Sequence, residues 1–444
     1  MAIHAKQALL PGGWAENVRL TTAAGRIASV ESQVAAQPGD HCARILVPGM
    51  PNLHSHAFQR GFSGLTERRG AGPDSFWTWR EMMYRFALSL TPDQMQAIAA
   101  MAFVEMLEAG YTRLGEFHYL HHAPDGRPYS DPAEMSGRIF AAVRDTGIAL
   151  THLPVFYAHG GFGPTPAGEG QRRFLHSYDA FARLVEQCET LRREQDRVGI
   201  APHSLRAASM AEIRQLAADF PDRPFHIHIA EQVKEVEDCL GFCGARPVEY
   251  LLDQAPVDPS WCLIHATHLT SAETRAIAAS GAVVGLCPLT EANLGDGIFP
   301  GSDYLTSGGA WGIGTDSNVE ITVAGELKQL EYSQRLASRA RNVMTAGGSV
   351  GAALFAAAVK GGAQALSAAE PQIAPGADAD LVALTDPLGP GFATEQIMDR
   401  WIFGRDLRVA DVWAFGVHVV QGGEHILRGP VAAAYASALR AVLA

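Results

Sequence analysis

Two histidines near the start of the chain have the spacing of metal ligands. His54 and His56 follow the apolar run 44–47 and the turn residues Pro48 and Gly49. In extended backbone, residues two apart lie on the same face, so both imidazoles can face one ion. A His-x-His pair is weak evidence alone, because two polar residues in a loop would give the same pattern. A metal site therefore requires further ligands elsewhere in the chain.

Three later predicted strands close on side chains that bind metals or move protons. The first strand contains His226 and His228 and closes on Glu231, the second closes on His265, and the third closes on Asp316. Imidazoles and a carboxylate suit a borderline cation such as Zn²⁺, with water at an open position. The predicted ligands are His54, His56, His228 and Asp316. His226 is the alternative to His228, which is preferred because it lies nearer the strand end.

The remaining side chains predict hydrolysis. We expect the cation to activate a water molecule, and Glu231 to transfer a proton from that water to a leaving nitrogen. His265 is expected to donate a hydrogen bond to the reacting centre, and Asp316 to accept a proton besides binding the metal. Glu231 can also be interpreted as a solvated residue before a helix. Because 198–206 contains no lysine to bridge two ions, one Zn²⁺ per subunit is predicted, with Fe²⁺ as the alternative.

Apolar strands and amphipathic helices alternate between residues 48 and 373, which is typical of a parallel α/β sheet. Eight such strands predict a (β/α)8 TIM barrel, whose chemistry lies at the carboxyl ends of its strands. Every predicted site residue falls at such an end. Short β runs in 1–47 and 374–444 bury too little to fold alone. We expect them to form one small composite β domain, a β-sandwich built from both chain ends.

Composition excludes several functional classes. The 444 residues carry a formal net charge of −12 and no basic patch, which argues against a nucleic-acid partner. The six cysteines form no Cys-x-x-Cys pair, as expected in a reducing compartment. The first 20 residues contain no apolar stretch long enough for a signal peptide or a membrane span. We therefore expect a cytoplasmic protein with no membrane partner.

The metal motifs resemble those of the amidohydrolase superfamily, in its deaminase and chlorohydrolase branch. The matching segments are 48–56, 228–231, 265–270, 312–317 and 376–382. The resemblance covers nearly the whole chain and implies a metal-dependent hydrolase that is commonly a homodimer. The chain departs from this pattern at 287–293, where Thr290 and Glu291 stand in place of the usual Ser-Asn pair.

Three further segments, 76–80, 116–122 and 202–206, resemble the formimidoylglutamate deiminases within this branch. That resemblance implies hydrolysis of N-formimidoyl-L-glutamate to N-formyl-L-glutamate and ammonia, a step of histidine degradation. The expected substrate-binding residues are Gln59, Arg80, Tyr119, His203 and Arg206. Two arginines can bind carboxylates bidentately, a hydroxyl can assist, and the amide and imidazole can recognise the formimino group. Structural roles in a helix or in the core are the alternatives for Arg80 and Tyr119.

Two other functions fit parts of the pattern. A deaminase of the same branch acting on guanine or an adenosine-like compound would keep the metal site and change the substrate pocket. A non-catalytic binding protein on a former hydrolase barrel would be expected to lack metal ligands. All four predicted ligands and Glu231 are present, which disfavours the second alternative.

Overall fold

Strands and helices alternate along most of the chain in the computed structural model, which describes residues 1–69, 75–389 and 393–444. The strands are β1 (Ala2–Leu10), β2 (Gly13–Ala23), β3 (Arg26–Glu31), β4 (His41–Pro48), β5 (Met50–Ser55), β6 (Tyr111–His118), β7 (Ala149–Phe156), β8 (Arg197–Val198), β9 (Ala201–Pro202), β10 (Phe225–Ile229), β11 (Trp261–His265), β12 (Val283–Leu286), β13 (Ala310–Ile313), β14 (Leu381–Thr385), β15 (Arg408–Ala414), β16 (Val417–Gln421) and β17 (Glu424–His425).

The helices separate these strands and cover the parallel sheets. They are α1 (Phe76–Ser89), α2 (Pro92–Ala109), α3 (Glu134–Thr146), α4 (Tyr178–Leu191), α5 (Met210–Asp219), α6 (Val233–Cys243), α7 (Pro247–Gln254), α8 (Ser271–Ser280), α9 (Pro288–Leu294), α10 (Gly301–Thr306), α11 (Val323–Ser338), α12 (Val350–Ala365), α13 (Ile397–Phe403) and α14 (Arg428–Leu443). Short 3₁₀ turns lie at Ala57–Phe62, Glu169–Gln171 and Thr394–Gln396. None of the helices in the described ranges is long and apolar enough to cross a membrane.

Strands from both chain ends form one sheet. Its order among the described residues is β17-β16-β15-β14-β4-β1-β2-β3. Strand β4 joins the two halves, because it pairs with β1 along its first part and with β14 along its last part. Ile3 and Leu20 from one half share an apolar cluster with Leu381 and Trp413 from the other. The two halves therefore pack on each other through this apolar cluster. They also remain hydrogen-bonded through β4, so that all eight of these strands belong to one sheet.

Two parallel sheets hold the middle of the chain. In the described residues, one has the order β5-β6-β7-β8, with β9 also paired to β7, and the other has the order β10-β11-β12-β13. Isolated parallel bridges join Ser55 to Asp316, Ile200 to Phe225 and Ser204 to His228. Every residue of β6, β7, β10 and β11 is buried, as expected for strands covered on both faces. The carboxyl ends of the strands in each sheet lie along one edge.

The first parallel strand differs from the prediction. The sequence predicts a strand at 44–47 followed by a loop that carries both histidines. In the structure, 44–47 belongs to β4, and His54 lies inside the separate strand β5. Pro48 and Gly49 mark the point where the chain leaves one sheet and enters the next. Pro51 cannot donate to a ladder, and the pairing of β5 with β6 shifts register beside it. This irregular pairing explains why the segment does not have the sequence pattern of a strand.

The C-terminal segment also contains helices where the sequence predicts a β domain. Helix α14 covers the alanine-rich end of the chain, and alanine favours helices more than any other residue. The Tyr435 hydroxyl donates to the carbonyl of Arg60 at 3.2 Å, and Arg428 forms an ion pair with Glu108 of α2. Helix α14 therefore packs against the middle segment of the chain.

Candidate active site

The site residues meet where the parallel strands end. His54 lies in β5, His228 in β10, His265 ends β11, and Asp316 follows β13. The backbone at His265 and Asp316 is left-handed, with φ of 70° and 44°, as it is at Ala230 with φ of 52°. Each such residue costs on the order of 1–3 kcal/mol and persists only where its surroundings enforce it. These turns lie immediately after the strands, where they direct side chains toward a common centre.

Three imidazoles converge on one point. The Nε2 atoms of His54 and His228 are 3.1 Å apart, and ligand atoms of these residues and His56 all lie within 4.8 Å of one another. The Nδ1 atoms of His56 and His228 donate to the carbonyls of Phe117 and His203 at 2.9 and 3.0 Å, which leaves each Nε2 with its lone pair. Burial lowers the pKa of His54 to about 3, so its ring is neutral. Neutral nitrogens that face each other this closely fit a shared cation.

Asp316 adds a carboxylate to this group. Its Oδ1 lies 3.3 Å from His56 Nε2 and 3.6 Å from His54 Nε2. Burial opposes ionisation of Asp316, but the imidazoles of His54 and His56 hold its pKa below the ordinary value. A glycine at 314 makes this approach possible, because a Cβ there would lie 2.7 Å from the His54 carbonyl oxygen. The donor set of three imidazoles and one carboxylate suits Zn²⁺ or Fe²⁺.

Two other potential ligands are placed differently. His226 Nε2 donates to the carbonyl of Ala365 at 2.7 Å, so the structure brings His228 and not His226 into the group. Cys287 lies with His265 and Asp316, and ligand atoms of the three are within 4.8 Å. Burial raises the pKa of the Cys287 thiol well above its ordinary value. In the absence of a metal ion, this thiol is therefore protonated.

A second set of titratable groups lies next to the imidazoles. His265 Nε2 is 3.8 Å from Glu231 Oε1 and 3.9 Å from Asp316 Oδ2, and its Nδ1 donates to Glu291 Oε1 at 3.3 Å. Burial raises the pKa of Glu231, although His265 opposes the shift. Burial would lower the pKa of His265, but the carboxylates of Glu231 and Glu291 raise it to about 10. His265 therefore carries a proton on each nitrogen at neutral pH.

Two guanidinium groups line the same cleft as these residues. Arg206 has a buried Nε with no hydrogen-bond partner, and Arg80 lies over the ring of Trp77 at 4.4 Å. Neither forms a salt bridge with a carboxylate of residues 1–69, 75–389 or 393–444. Burial opposes the charge on Arg206, but Glu235 and Glu231 raise its pKa, so it remains cationic. The cleft thus presents positive charge that no described carboxylate neutralises through a salt bridge, although Glu231 and Glu235 stabilise the charge on Arg206.

Gln59 and Tyr119 line the cleft beside the imidazoles, and the amide oxygen of Gln59 accepts no hydrogen bond from the described residues. Gln59 Nε2 donates to the Tyr119 hydroxyl at 2.8 Å, and that hydroxyl faces Met83 Sδ at 3.8 Å. Gln59 Oε1 is buried and has no hydrogen-bond partner among the described residues. Burial, assisted by the charge of Arg206, lowers the pKa of His203 well below its ordinary value, so this imidazole is neutral. The unsatisfied amide oxygen can accept a hydrogen bond from a bound N–H group.

Family comparison agrees with these motifs. The model of the amidohydrolase family matches residues 45–415, which is most of the chain and includes every residue of the cleft discussed above. This chain belongs to the amidohydrolase family. A second model, described as the N-terminal domain of formimidoylglutamate deiminase HutF, matches residues 1–43.

Relatives of this amidohydrolase fall into two levels of similarity. A formimidoylglutamate deiminase of Pseudomonas aeruginosa is 49% identical over 96% of this chain and 95% of its own length. The crystal structure of an amidohydrolase from Brucella melitensis is 53% identical, with a TM-score of 0.98 and full coverage of both chains. A 5-methylthioadenosine/S-adenosylhomocysteine deaminase of Natronomonas pharaonis is 26% identical over 86% of this chain and 81% of its own.

The structure adds functional candidates that the sequence does not reveal. Glu291 contacts His265, and only the departure at 287–293 from the usual motif draws attention to it. Aromatic and aliphatic side chains from separate segments also line the cleft of this amidohydrolase. They are Phe76, Trp79, Met83, Tyr84, Tyr157, Phe174 and Leu294. They come from helices and loops that only the tertiary fold brings together, and only Phe76 and Trp79 lie in a segment, 76–80, that the sequence motifs single out.

Proposed function

We propose that this amidohydrolase hydrolyses N-formimidoyl-L-glutamate to N-formyl-L-glutamate and ammonia. The observation that carries the proposal is that one cleft combines a group of metal donors with two guanidinium groups that form no salt bridge to a described carboxylate. The proposed substrate has an amidine carbon for hydrolysis and two carboxylates for the guanidinium groups. The similarity to the Pseudomonas aeruginosa deiminase supports the same reaction.

The metal would be held by His54, His56, His228 and Asp316. We infer Zn²⁺ as the native ion, with Fe²⁺ as the alternative that the same ligands accept. A divalent cation bound there supplies Lewis acidity, which makes water nucleophilic at neutral pH. The protein contributes the orientation of the ligands, since Phe117 and His203 fix the rings of His56 and His228 through their carbonyls.

Glu231 is the proposed proton carrier. Its raised pKa suits a group that takes a proton near neutral pH and gives it up again in the same turnover. A water oxygen forms a bond to the amidine carbon while Glu231 accepts the proton of that water. Glu231 then delivers that proton to the leaving nitrogen of the amidinium adduct. Asp316 would take the second proton from the water-derived oxygen, so that the formyl C=O bond forms as the C–N bond breaks and ammonia departs.

His265 is proposed to donate a hydrogen bond from Nε2 to the reacting centre. The other nitrogen already donates to Glu291, which fixes the orientation of the ring. Asp316 Oδ2 lies 3.9 Å from this Nε2, and Asp316 is proposed to accept a proton from the nucleophile, as the sequence also suggests. We infer that Glu291 acts as a positioning residue for His265.

The substrate carboxylates would pair with Arg206 and Arg80. Both arginines line the cleft together with Tyr157, whose pKa is raised by burial and lowered in part by the two guanidinium charges. Gln59 Oε1 would accept from the formimino N–H, while Tyr119 holds the Gln59 amide in place. The His203 ring has its centroid 5.7 Å from that of Tyr119 and 4.9 Å from that of His228, and it would complete recognition of the formimino nitrogen.

We also propose that the strands β5 to β13 close into a (β/α)8 barrel, with β8 and β9 as one interrupted strand. The bridges from Ser55 to Asp316 and from Ile200 to Phe225 support this closure, since they join both pairs of sheet edges. The proposed domains are the barrel, 48–373, and the composite β domain, 1–47 and 374–444. In the composite domain, β4 would form the corner of a sandwich.

An ammonia-release assay on metal-loaded protein tests the function. N-formimidoyl-L-glutamate should release ammonia rapidly, whereas N-formimidoylglycine, guanine and adenosine should not. Glu231→Gln should reduce the rate by about 10²- to 10⁴-fold while the bound metal stays at the wild-type level. Release from a purine, with the glutamate compound inert, would refute the substrate assignment. Chromatography with light scattering and cell fractionation would test the predicted homodimer and cytoplasmic location.

A further inference from the structure

A second cluster of metal donors lies in the sheet formed by the chain ends. His41 in β4, Asp411 in β15 and His418 in β16 place their ligand atoms within 4.8 Å of one another. His418 Nε2 is 2.9 Å from Asp411 Oδ1, and His41 Nε2 is 3.4 Å from Asp411 Oδ2. Both imidazoles therefore direct Nε2 toward the carboxylate of Asp411.

Trp413 holds the two imidazoles in place. The indole is buried, and it stacks on His418 with ring centroids 4.5 Å apart and an interplanar angle of 19°. The edge of His41 meets the same indole at 5.0 Å and 81°. Because both rings rest on a core residue, they lose little further rotational freedom when they bind an ion.

The cluster is open to solvent. The side chains of His41, Asp411 and His418 are 33%, 16% and 22% exposed. An ion can therefore enter directly from solution, and water can supply the ligands that the protein does not. Of the three residues, only His418 lies outside the ranges matched by the family models, since His41 lies within 1–43 and Asp411 within 45–415.

We propose that His41, Asp411 and His418 form a second binding site for a divalent transition metal ion. Two imidazoles and one carboxylate favour Zn²⁺, Ni²⁺ or Cu²⁺ over Ca²⁺ and Mg²⁺, which prefer oxygen ligands. The bound ion would connect β4, from the start of the chain, with β15 and β16 from its end. This site uses none of the cleft residues, so it is independent of the proposed reaction.

Equilibrium dialysis of the full-length protein against Zn²⁺, followed by elemental analysis, tests this site. Wild-type protein should bind about two ions per chain, and Asp411→Asn and His418→Ala should each bind about one. His4→Ala is the matched control, because His4 lies in the same sheet and bonds to the Val34 carbonyl, and it should still bind about two. Equal metal stoichiometry in the wild type and in both site variants would overturn the proposal, whatever the occupancy of the cleft.

Tryptophan fluorescence gives a second measurement that does not depend on ion counting. Cu²⁺ bound at His418 would lie next to Trp413 and should quench its emission. Asp411→Asn, which keeps the size of the side chain, should lose this saturable quenching while retaining the wild-type circular dichroism spectrum. Equal quenching of a correctly folded Asp411→Asn protein would contradict metal binding by the cluster.

Discussion

Replacing Arg206 by alanine removes a guanidinium group whose Nε is buried in the cleft without a hydrogen-bond partner in the described chain. If this group pairs with a substrate carboxylate, the variant leaves that carboxylate buried and unpaired. Removing one partner of a buried charged pair costs about 2 to 5 kcal/mol. At 1.36 kcal/mol per tenfold, kcat/KM for N-formimidoyl-L-glutamate should fall by about 30- to 5,000-fold. Steady-state ammonia release measures this directly.

Substrates that lack one carboxylate locate the partner of Arg206. N-formimidoyl-4-aminobutyrate lacks the α-carboxylate, and N-formimidoyl-L-glutamine replaces the γ-carboxylate by an amide. The wild-type enzyme should hydrolyse both compounds with a low kcat/KM. If Arg206 binds the carboxylate that one compound lacks, Arg206→Ala should lower kcat/KM for that compound only slightly further. This non-additivity separates direct recognition from a general disturbance of the cleft.

The control is Arg85→Ala, which removes an exposed arginine of the same helix that carries Arg80. It should leave kcat/KM within about twofold, since surface substitutions have small effects. Arg80 is half-buried and stacked on Trp77, so its loss should cost less than that of Arg206. If Arg206→Ala retained wild-type kcat/KM with N-formimidoyl-L-glutamate, the carboxylate clamp would be refuted.

Three further variants test the neighbouring structure. Glu291→Gln should lower kcat about 10- to 100-fold and leave KM unchanged, because Glu291 orients His265. The pH profile of kcat should also change. A wild-type kcat would contradict this role. Gly314→Ala should lower the metal content and the melting temperature, because the new Cβ would lie within 3.0 Å of three His54 atoms; a full complement of metal would contradict it. Burial raises the pKa of Asp380 from 3.8 to about 6, so the folded state retains this proton to higher pH than the unfolded state. The proton on Asp380 stabilises the folded state fully below the unfolded pKa, and this stabilisation is lost as pH rises through the folded pKa. Between about pH 4 and about pH 7, the free energy of unfolding of the wild type should therefore fall by about 3 kcal/mol relative to that of Asp380→Asn. Denaturant titrations measure this difference. Parallel curves for the two proteins would contradict it.

The strand ends made much of the site predictable from sequence. His228, His265 and Asp316 each follow an apolar run, and parallel strands of one sheet bring their carboxyl ends to one edge. The same rule separated His228 from His226, which the structure places at the carbonyl of Ala365. The hydrophobic pattern and the order of the strands were sufficient to predict these residues, because a residue at the carboxyl end of a parallel strand lies beside the carboxyl ends of the neighbouring strands.

The features that could not be predicted depend on contacts between distant segments. Glu291 reaches His265 only because α9 starts directly after β12 and turns its first residues toward β11. Strand β5 has an irregular ladder around Pro51, so its sequence resembles a loop. The unpaired Gln59 oxygen likewise depends on where the Tyr119 hydroxyl lies. None of these arrangements is a property of local sequence.

The role of β4 in joining both halves of the terminal sheet has a consequence for how the protein is made. Strands β1 to β4 are translated long before β14, the partner of β4, which begins at Leu381. Until β14 has been translated, one edge of β4 has unpaired backbone groups that can pair with other chains. A nascent or truncated chain that ends before residue 381 would therefore keep an unpaired, aggregation-prone edge on β4, the strand immediately before the one that carries His54. Translation of β14 removes that edge, because β14 pairs with β4.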